Sequence, residues 1–227
     1  MKITYLGHAT LLLEMNGKKI LFDPFITGNP IANNIYVDEI KCDYIFLTHA
    51  HQDHVLDVER IAANNPDALL VSNYEIVMYY QEKGVNGHPL NHGGKKKFDF
   101  GTAKYVNAVH SSVFPDGTYG GNPGGFVIYD HSHCLYIAGD TALTRDMELI
   151  PMTCPKLDLA VLPVGDNFTM GYEDARIASD FIQCDKIIGC HFDSFPPIQL
   201  DHVAAKIHFT EKGKELILLD IGESYGS

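Results

Sequence analysis

The sequence predicts a layered α/β or α+β domain with sheet packed between helices. Three observations support this prediction: strand-length apolar runs recur along the whole chain, stretches with helical spacing lie between the later runs, and no long linker divides them. A chain of 227 residues can bury a substantial core, and 45% of its residues are hydrophobic against 20% charged. We therefore expect a single globular domain over residues 1–227.

The predicted strands are crowded near the N-terminus and alternate with helices later in the chain. Each run is of strand length, and it contains β-branched or aromatic residues or alternates apolar with polar ones. The runs cover residues 3–6, 11–13, 20–22, 44–47, 69–71, 105–109, 126–129, 135–138, 159–164, 187–190 and 216–219.

The predicted helices are stretches whose apolar residues fall on one helical face. They cover residues 55–62, 73–83, 171–182 and 200–212. The short basic run 95–97 is interpreted as a solvated turn before a strand at Phe98. The Gly-, Pro- and Asn-rich stretches 26–34 and 116–125 are predicted to be loops over a site, because strong strands flank both.

The net charge disfavours nucleic acid as a partner, and the cysteines indicate a reducing compartment. The formal net charge is −12, which argues against nucleic acid, because phosphate contacts need clustered Lys and Arg. The five cysteines are widely spaced and form no CxxC pair, as expected of a reduced protein. The chain shows neither a signal-peptide pattern nor an apolar run long enough for a bilayer. We expect a cytoplasmic protein that does not bind membranes.

The stretch THAHQDH, residues 48–54, crowds three histidines and an aspartate after an apolar run. A strand through that run delivers His49 and His51 to its carboxyl end, where residues two apart point the same way. A helix that begins near Asp53 or His54 would turn both side chains toward the same spot. Four groups that repel one another when charged, and that are costly to desolvate, indicate a bound cation. Zn²⁺, Mn²⁺ or Fe²⁺ suits imidazole and carboxylate ligands.

Further candidate ligands follow other strand-like runs. His110 comes after an alternating run, Asp140 after the apolar run 135–138, and His191 after the run 187–190. The carboxyl ends of strands are where open α/β sheets gather their ligands. This shared placement predicts that the three residues meet the histidines of the heptapeptide at one edge of the sheet.

The complete pattern resembles the ligand set of the metallo-β-lactamase fold superfamily. It consists of Thr48-His49-x-His51-x-Asp53-His54, His110, Gly139-Asp140-Thr141 and His191, and it extends over nearly the whole chain. The resemblance implies a four-layer αββα sandwich of two sheets between outer helices. It also implies two divalent metal ions at the sheet edge, Zn²⁺ first, with Mn²⁺, Fe²⁺ or Ni²⁺ as alternatives.

The same resemblance implies which residues hold each metal ion. One ion would be held by His49, His51 and His110, the other by Asp53, His54 and His191, with Asp140 bridging the two. Cys190 is interpreted as buried filling, because a thiol would break this His/Asp set. Six further histidines, interpreted as surface or hydrogen-bonded residues, lie outside the pattern: His88, His92, His131, His133, His202 and His208.

A narrower resemblance points to an activity. The segments LGHAT (6–10), LFDPFITGNP (21–30) and PVGDNFTMG (163–171) are similar to the compact metal-dependent hydrolases that include the L-ascorbate phosphate lactonases. This resemblance implies hydrolysis of an ester, lactone or phosphoester of a small molecule by a metal-bridging hydroxide. Asp53 would orient that nucleophile and handle its proton.

Two residues and four loops are predicted to surround the metals. Asp23, which ends a strand, is expected to accept the free N–H of a ligating histidine and so fix its tautomer. The resemblance places His8 close to the metals as a substrate or product contact. The loops 27–34, 118–124, 166–170 and 193–198 are expected to wall the pocket.

Two alternatives remain open from the sequence. The same histidine run occurs in mononuclear iron oxygenases of this superfamily that act on a persulfide or thiol, so one iron with oxygen consumption is the first alternative. The second is a non-enzymatic metal-bearing scaffold or sensor that acts through a partner. The sequence leaves the oligomeric state open, a homo-oligomer included.

Overall fold

The computed structural model describes residues 1–226, and within them the chain forms two seven-stranded sheets with helices on their outer faces. The strands, numbered in chain order, are β1 (Lys2–Gly7), β2 (Thr10–Met15), β3 (Lys18–Phe22), β4 (Tyr44–Phe46), β5 (Leu69–Ser72), β6 (Gly87–Pro89), β7 (Lys95–Lys97), β8 (Thr102–Asn107), β9 (Gly124–Tyr129), β10 (Cys134–Ile137), β11 (Leu159–Pro163), β12 (Lys186–Cys190), β13 (Glu215–Ile217) and β14 (Ser224–Gly226).

The helices occur singly or in adjacent pairs between the strands. They are α1 (Gln52–Val55), α2 (Val58–Asn64), α3 (Tyr74–Gln81), α4 (Leu149–Thr153), α5 (Tyr172–Phe181) and α6 (His202–Thr210), with 3₁₀ turns at Val37–Glu39, Arg145–Glu148 and Pro196–Ile198. No helix in residues 1–226 is both long enough and apolar enough to cross a membrane.

Each sheet is antiparallel on one side and parallel on the other. The first sheet has the order β14-β1-β2-β3-β4-β5-β6 and becomes parallel from β3 onward. The second has the order β13-β12-β11-β10-β9-β8-β7 and is parallel from β10 to β13. Parallel strands end at the same edge of a sheet, so side chains that follow β4, β10 and β12 can meet there.

The alternation along the strands explains the four layers. In β3 and β4, Phe22 and Phe46 belong to the large core that both sheets share, whereas Leu21 and Ile45 point to a second core beneath α2 and α3. Neighbouring residues in a strand face opposite sides, so a strand covered on both faces is apolar throughout. Full burial of each such side chain contributes about 1.5–3 kcal/mol. The fold is therefore the predicted αββα sandwich.

Some predicted elements differ from the structure. The prediction of a turn at Lys95–Lys97 before a strand at Phe98 is wrong: Lys95–Lys97 is β7, an edge strand paired with β8, and residues 98–101 form the turn. Charged residues are common on edge strands, where they prevent pairing with other chains. The single helix expected over residues 55–62 is instead the pair α1 and α2. The short strands β6 and β14 and the helix α4 were not expected.

Candidate metal centre

The heptapeptide lies where β4 meets α1. The strand ends at Phe46, one residue before the predicted run ends, and the extended segment that follows carries His49 and His51. The helix α1 begins at Gln52, so Asp53 and His54 lie in its first turn. His49 and His54 are fully buried, whereas Asp53 keeps 30% of its side chain exposed. The turn from strand to helix brings all four side chains to one place.

The described residues contain three overlapping groups of potential metal ligands, and within each group the ligand atoms lie within 4.8 Å of one another. His110 and Asp140 join the heptapeptide from positions three residues beyond the ends of β8 and β10, and His191 follows β12 directly. The groups are His49, His51 and His110; His8, Asp53, His54 and His191; and His49, His54 and Asp140.

Asp140 lies at the centre of the cluster. Its carboxylate oxygens are 3.1 Å from His191 Nε2, 3.3 Å from His54 Nε2, 3.6 Å from His110 Nε2 and 3.9 Å from His49 Nε2. One carboxylate thus approaches a histidine from both of the predicted ligand sets. This is the arrangement expected of a group that bridges two ions.

Buried polar atoms in the cluster lack hydrogen-bond partners. Among the described residues, His54 Nε2, Asp140 Oδ1 and both ring nitrogens of His191 are buried without one. The 3.1 and 3.3 Å separations from Asp140 are short, yet neither contact is a hydrogen bond. An unsatisfied buried polar atom costs about 1–3 kcal/mol. Atoms that converge without bonding one another fit a cation among them, so the residues present suit a divalent metal ion.

The pKa shifts within the cluster also indicate that positive charge is favoured there. Burial acts to lower the pKa of His54 and of His191, but nearby carboxylates outweigh it. Asp140 and Asp23 raise the pKa of His54 well above its usual value, and Asp140 with Asp53 raises the pKa of His191 to about 9. Burial acts in turn to raise the pKa of Asp140, and the two histidines hold it well below its usual range. Protons or a metal cation can supply this charge.

Asp23 fixes the orientation of two cluster histidines. Its Oδ2 accepts from Thr48 Oγ1 at 2.6 Å and lies 3.0 Å from His54 Nδ1. Because a carboxylate only accepts, Nδ1 of His54 carries the proton and its Nε2 lone pair is free for a metal. The Thr48 hydroxyl, having donated to Asp23, accepts from His49 Nδ1 at 3.0 Å. The lone pair of His49 is therefore on Nε2, which faces His51 Nδ1 at 3.0 Å inside the cluster. Asp23 therefore has the contact that the sequence predicts.

His8 supports Asp53 and lies away from open space. Its ring is fully buried, with Nε2 3.0 Å from Asp53 Oδ2 and Nδ1 3.0 Å from Ser194 Oγ. Burial, with His191 next in effect, lowers the pKa of His8 to about 4, so the ring is neutral at pH 7. Nε2 then donates to Asp53 and Nδ1 accepts from Ser194. Both nitrogens are engaged, so the expected substrate contact through them has no support in this geometry.

The backbone around the site adopts unusual conformations. Six of the eight non-glycine residues with positive φ in residues 1–226 belong to the cluster or to the loops beside it. Such conformations cost about 1–3 kcal/mol each and concentrate where a side chain must be aimed at a functional site. The six residues are His8, Asp23, Asp166, Asn167, His191 and Asp193.

A cavity of about 490 Å³ opens beside the cluster, with Asp53 on its wall. Six of the residues that line it come from α1 and from three of the four loops predicted to wall the pocket, and the other two, Phe25 and Leu56, lie beside these segments. The fourth loop, residues 118–124, does not reach it. The lining residues are Phe25, Gly28, Gln52, Asp53, Leu56, Phe168, Phe195 and Pro197.

Other candidates from the sequence lie outside the cluster. Cys190 is buried and belongs to none of the three ligand groups, in keeping with its interpretation as filling. The six further histidines are also absent from these groups, and two of them have clear partners: His92 with the Pro123 carbonyl and His202 with Asp193.

Sequence reasoning missed the role of several supporting residues. Ser194 contacts His8, which lies 186 positions earlier in the chain, and no local sequence pattern predicts such a contact. The aromatic wall residues Phe25, Phe168 and Phe195 were detectable in part, because all three lie within or beside predicted loops, where large apolar side chains are out of place unless they line a pocket.

Comparison with known proteins agrees with the geometry. A family model described as a beta-lactamase superfamily domain matches residues 2–191, a range that contains every residue of the cluster. The chain belongs to the metallo-β-lactamase superfamily, among its metal-dependent hydrolases.

Close relatives cover the whole length. A protein of Flavobacterium johnsoniae named UPF0173 metal-dependent hydrolase is 64% identical over 224 residues, which are 99% of each chain. A protein of the same name from Christiangramia forsetii is 61% identical over 99% of each chain. The solved structure of Igni18, a metallo hydrolase from Ignicoccus hospitalis, has a TM-score of 0.89 at 32% identity and covers 99% of this chain and 97% of its own.

Proposed function

We propose that the protein hydrolyses an ester, lactone or phosphoester bond of a small molecule with the help of two divalent metal ions, Zn²⁺ being the first expectation. The observation that carries the proposal is the convergence of three overlapping groups of ligand atoms on Asp140. In this proposal His49, His51 and His110 would hold one ion, Asp53, His54 and His191 would hold the other, and Asp140 would serve both.

When bound, the metal ions would supply Lewis acidity, which would lower the pKa of water toward about 7 and polarise the oxygen of the scissile group. Hydrolysis of an ester forms one C–O bond to the water oxygen, breaks the bond to the alcohol and releases a carboxylate, the alcohol and one proton. Asp53 borders both the cluster and the cavity, so it orients the attacking water and takes its proton.

The side chains behind the ligands keep this arrangement in place. Asp23 and Thr48 hold His54 and His49 with their Nε2 lone pairs toward the cluster. His8, itself held by Ser194, donates to the Asp53 carboxylate. Such outer contacts typically change metal affinity or activity by about 10–100-fold when they are removed.

The experiment compares metal-loaded wild type with Asp53→Asn on carboxylic esters, lactones and phosphodiesters, with the metal content of each sample measured. We expect the wild type to hydrolyse at least one class and Asp53→Asn to lose about 100-fold in kcat. Asp174→Asn, which changes an exposed carboxylate on α5, is the control and should keep full activity. Full turnover by metal-loaded Asp53→Asn would refute the proton role, and a metal-loaded wild type inactive on every class would refute the hydrolase.

A further inference from the structure

The cavity beside the cluster is apolar on most of its wall. Five of its eight lining residues are apolar: Phe25, Leu56, Phe168, Phe195 and Pro197. Phe168 is 54% exposed and Leu56 is 39% exposed, although large apolar side chains are normally withdrawn from water. Exposed apolar side chains grouped around a concave site mark a surface that binds an apolar group.

The apolar wall is continuous with the candidate metal centre. The rings of Phe25 and Phe195 lie 5.4 and 5.5 Å from the His8 ring, both edge to face. His8 in turn contacts Asp53, which lines the cavity and belongs to a ligand group. A molecule with its reacting bond at the cluster therefore extends into this cavity.

The wall is closely packed at its base. A Cβ atom added at Gly28 would lie 2.5 Å from Phe25 and 2.6 Å from Leu56, so glycine lets the loop approach both side chains. The cavity is thus formed in advance by side chains in contact, which lowers the entropic cost of binding an apolar group.

The side chains that line the cavity offer no partner to an anionic group. None of the lining residues is Lys or Arg, and the ionisable one, Asp53, is acidic. Within the described chain, all three arginines pair with carboxylates of other surfaces: Arg60 with Asp38, Arg145 with Glu148 and Arg176 with Asp180. Recognition of a phosphate or carboxylate normally uses Arg, Lys or a group of backbone N–H donors.

We infer that this cavity takes an uncharged alkyl or aryl part of the substrate, so that the preferred substrate class is neutral esters or lactones rather than phosphorylated or carboxylated ones. The inference rests on the proposed function for the bond that is cleaved, but the binding preference of the cavity stands on its own walls. This cavity has no Lys or Arg side chain with which a phosphate, such as that in the substrate of the L-ascorbate phosphate lactonases, is normally bound.

The test uses two acids that differ only at the far end, hexanoate and adipate, in metal-loaded protein. Titration calorimetry measures their binding, and kcat/KM is measured for phenyl hexanoate and monophenyl adipate. We expect hexanoate to bind at least about tenfold more tightly than adipate, and its phenyl ester to react with the same preference. From acetate to butyrate to hexanoate, affinity should rise by up to about fourfold for each CH₂.

Two variants with the same change in charge distinguish an effect at the cavity from a general effect of added surface charge. Leu56→Arg places a cation at the cavity mouth and should reduce the preference for hexanoate over adipate by about tenfold. Ile207→Arg places the same cation on an exposed position of α6 and should leave the preference unchanged.

The outcomes distinguish the two proposals. Adipate binding as tightly as hexanoate, or equal behaviour of Leu56→Arg and Ile207→Arg, would overturn the inference even if the esters are hydrolysed. If no ester is cleaved but hexanoate still binds more tightly, and Leu56→Arg but not Ile207→Arg reduces this preference by about tenfold, the inference stands and the proposed hydrolysis fails.

Discussion

His8, a residue outside the predicted ligand set, contacts two of the predicted ligands. Its position next to the first strand brings the ring against His191, with ring centroids 4.0 Å apart, and its Nε2 reaches Asp53. The left-handed backbone at His8, with φ of 56°, aims the ring inward. Because Asp53 is partly exposed, a fixed donor behind it restricts the rotation of the carboxylate. We therefore assign His8 a positioning role.

A pair of substitutions tests this role. His8→Leu removes the donor to Asp53, and we expect kcat to fall by about 10–100-fold with little change in KM. His8→Gln keeps an N–H donor on a side chain of similar reach, and it should recover part of the loss. Steady-state kinetics with metal analysis of both variants checks the expectation. Equal kcat for the two variants, or a change confined to KM, would instead favour a direct substrate contact.

At this scale the sequence was most informative where residues are close in the chain. The spacing of His49, His51, Asp53 and His54 is enough to predict that they share a site, because a strand end and a helix start fix their directions. The contact between His8 and Ser194 could not be predicted, since it depends on how two distant loops pack. Sequence reasoning also could not know that both nitrogens of His8 are engaged.

Among the elements, the junction between α1 and α2 has a structural role of its own. Asp57 interrupts what the sequence predicts as one helix, and its buried carboxylate accepts from Ile26 N at 2.6 Å, Thr27 N at 2.9 Å and Thr27 Oγ1 at 2.6 Å. Its own N–H donates to the Pro24 carbonyl. The junction thus ties the helix that carries Asp53 to the loop that carries Gly28.

Asp57→Ala should destabilise the protein. Three hydrogen bonds to a buried carboxylate are lost and two backbone N–H groups are left without it, so we expect the free energy of unfolding to fall by about 3 kcal/mol. Urea unfolding followed by circular dichroism measures the change. Asp67→Ala, at an exposed position in the turn after α2, is the control and should stay within about 0.5 kcal/mol of wild type. Equal stability of the two variants would contradict this role.

The elements that the sequence predicts well are the doubly covered strands. Strands such as β4 and β11 are continuous apolar runs, because helices cover one face and the other sheet covers the second. The edge strand β7 was missed for the opposite reason: Lys95–Lys97 is exposed throughout, so no buried face imposes a pattern on it. A strand that is held only by backbone pairing with its neighbour has no hydrophobic pattern from which it could be predicted.

At the scale of the whole molecule, the fold gathers residues that are far apart in the chain. Loops after β1, β4, β8, β10 and β12 supply the cluster, and both sheets contribute. The chain carries a net charge of −12, yet three carboxylates are held close together near the cluster. Burying such groups without a counter-ion costs free energy. The geometry therefore indicates a cation at the same place as the family resemblance does.

The apolar runs are enough to predict a layered α/β or α+β domain, whereas the four-layer αββα sandwich was predicted from the family resemblance. The superfamily could be predicted from the candidate ligands, because their order and spacing along this chain resemble the ligand pattern of that superfamily. The substrate does not follow in the same way, since it depends on Leu56, Phe168 and Phe195, whose grouping around one cavity appears only after the loops have packed.

The measurement that tests the central claim most directly is elemental analysis of the protein purified without added metal, beside His49→Ala, Asp140→Ala and the exposed control His131→Ala. The account predicts about two zinc or manganese ions per chain in wild type and control, and a clear loss in the other two variants. One iron per chain with oxygen consumption would favour the oxygenase instead. No stoichiometric metal in any sample would contradict the account.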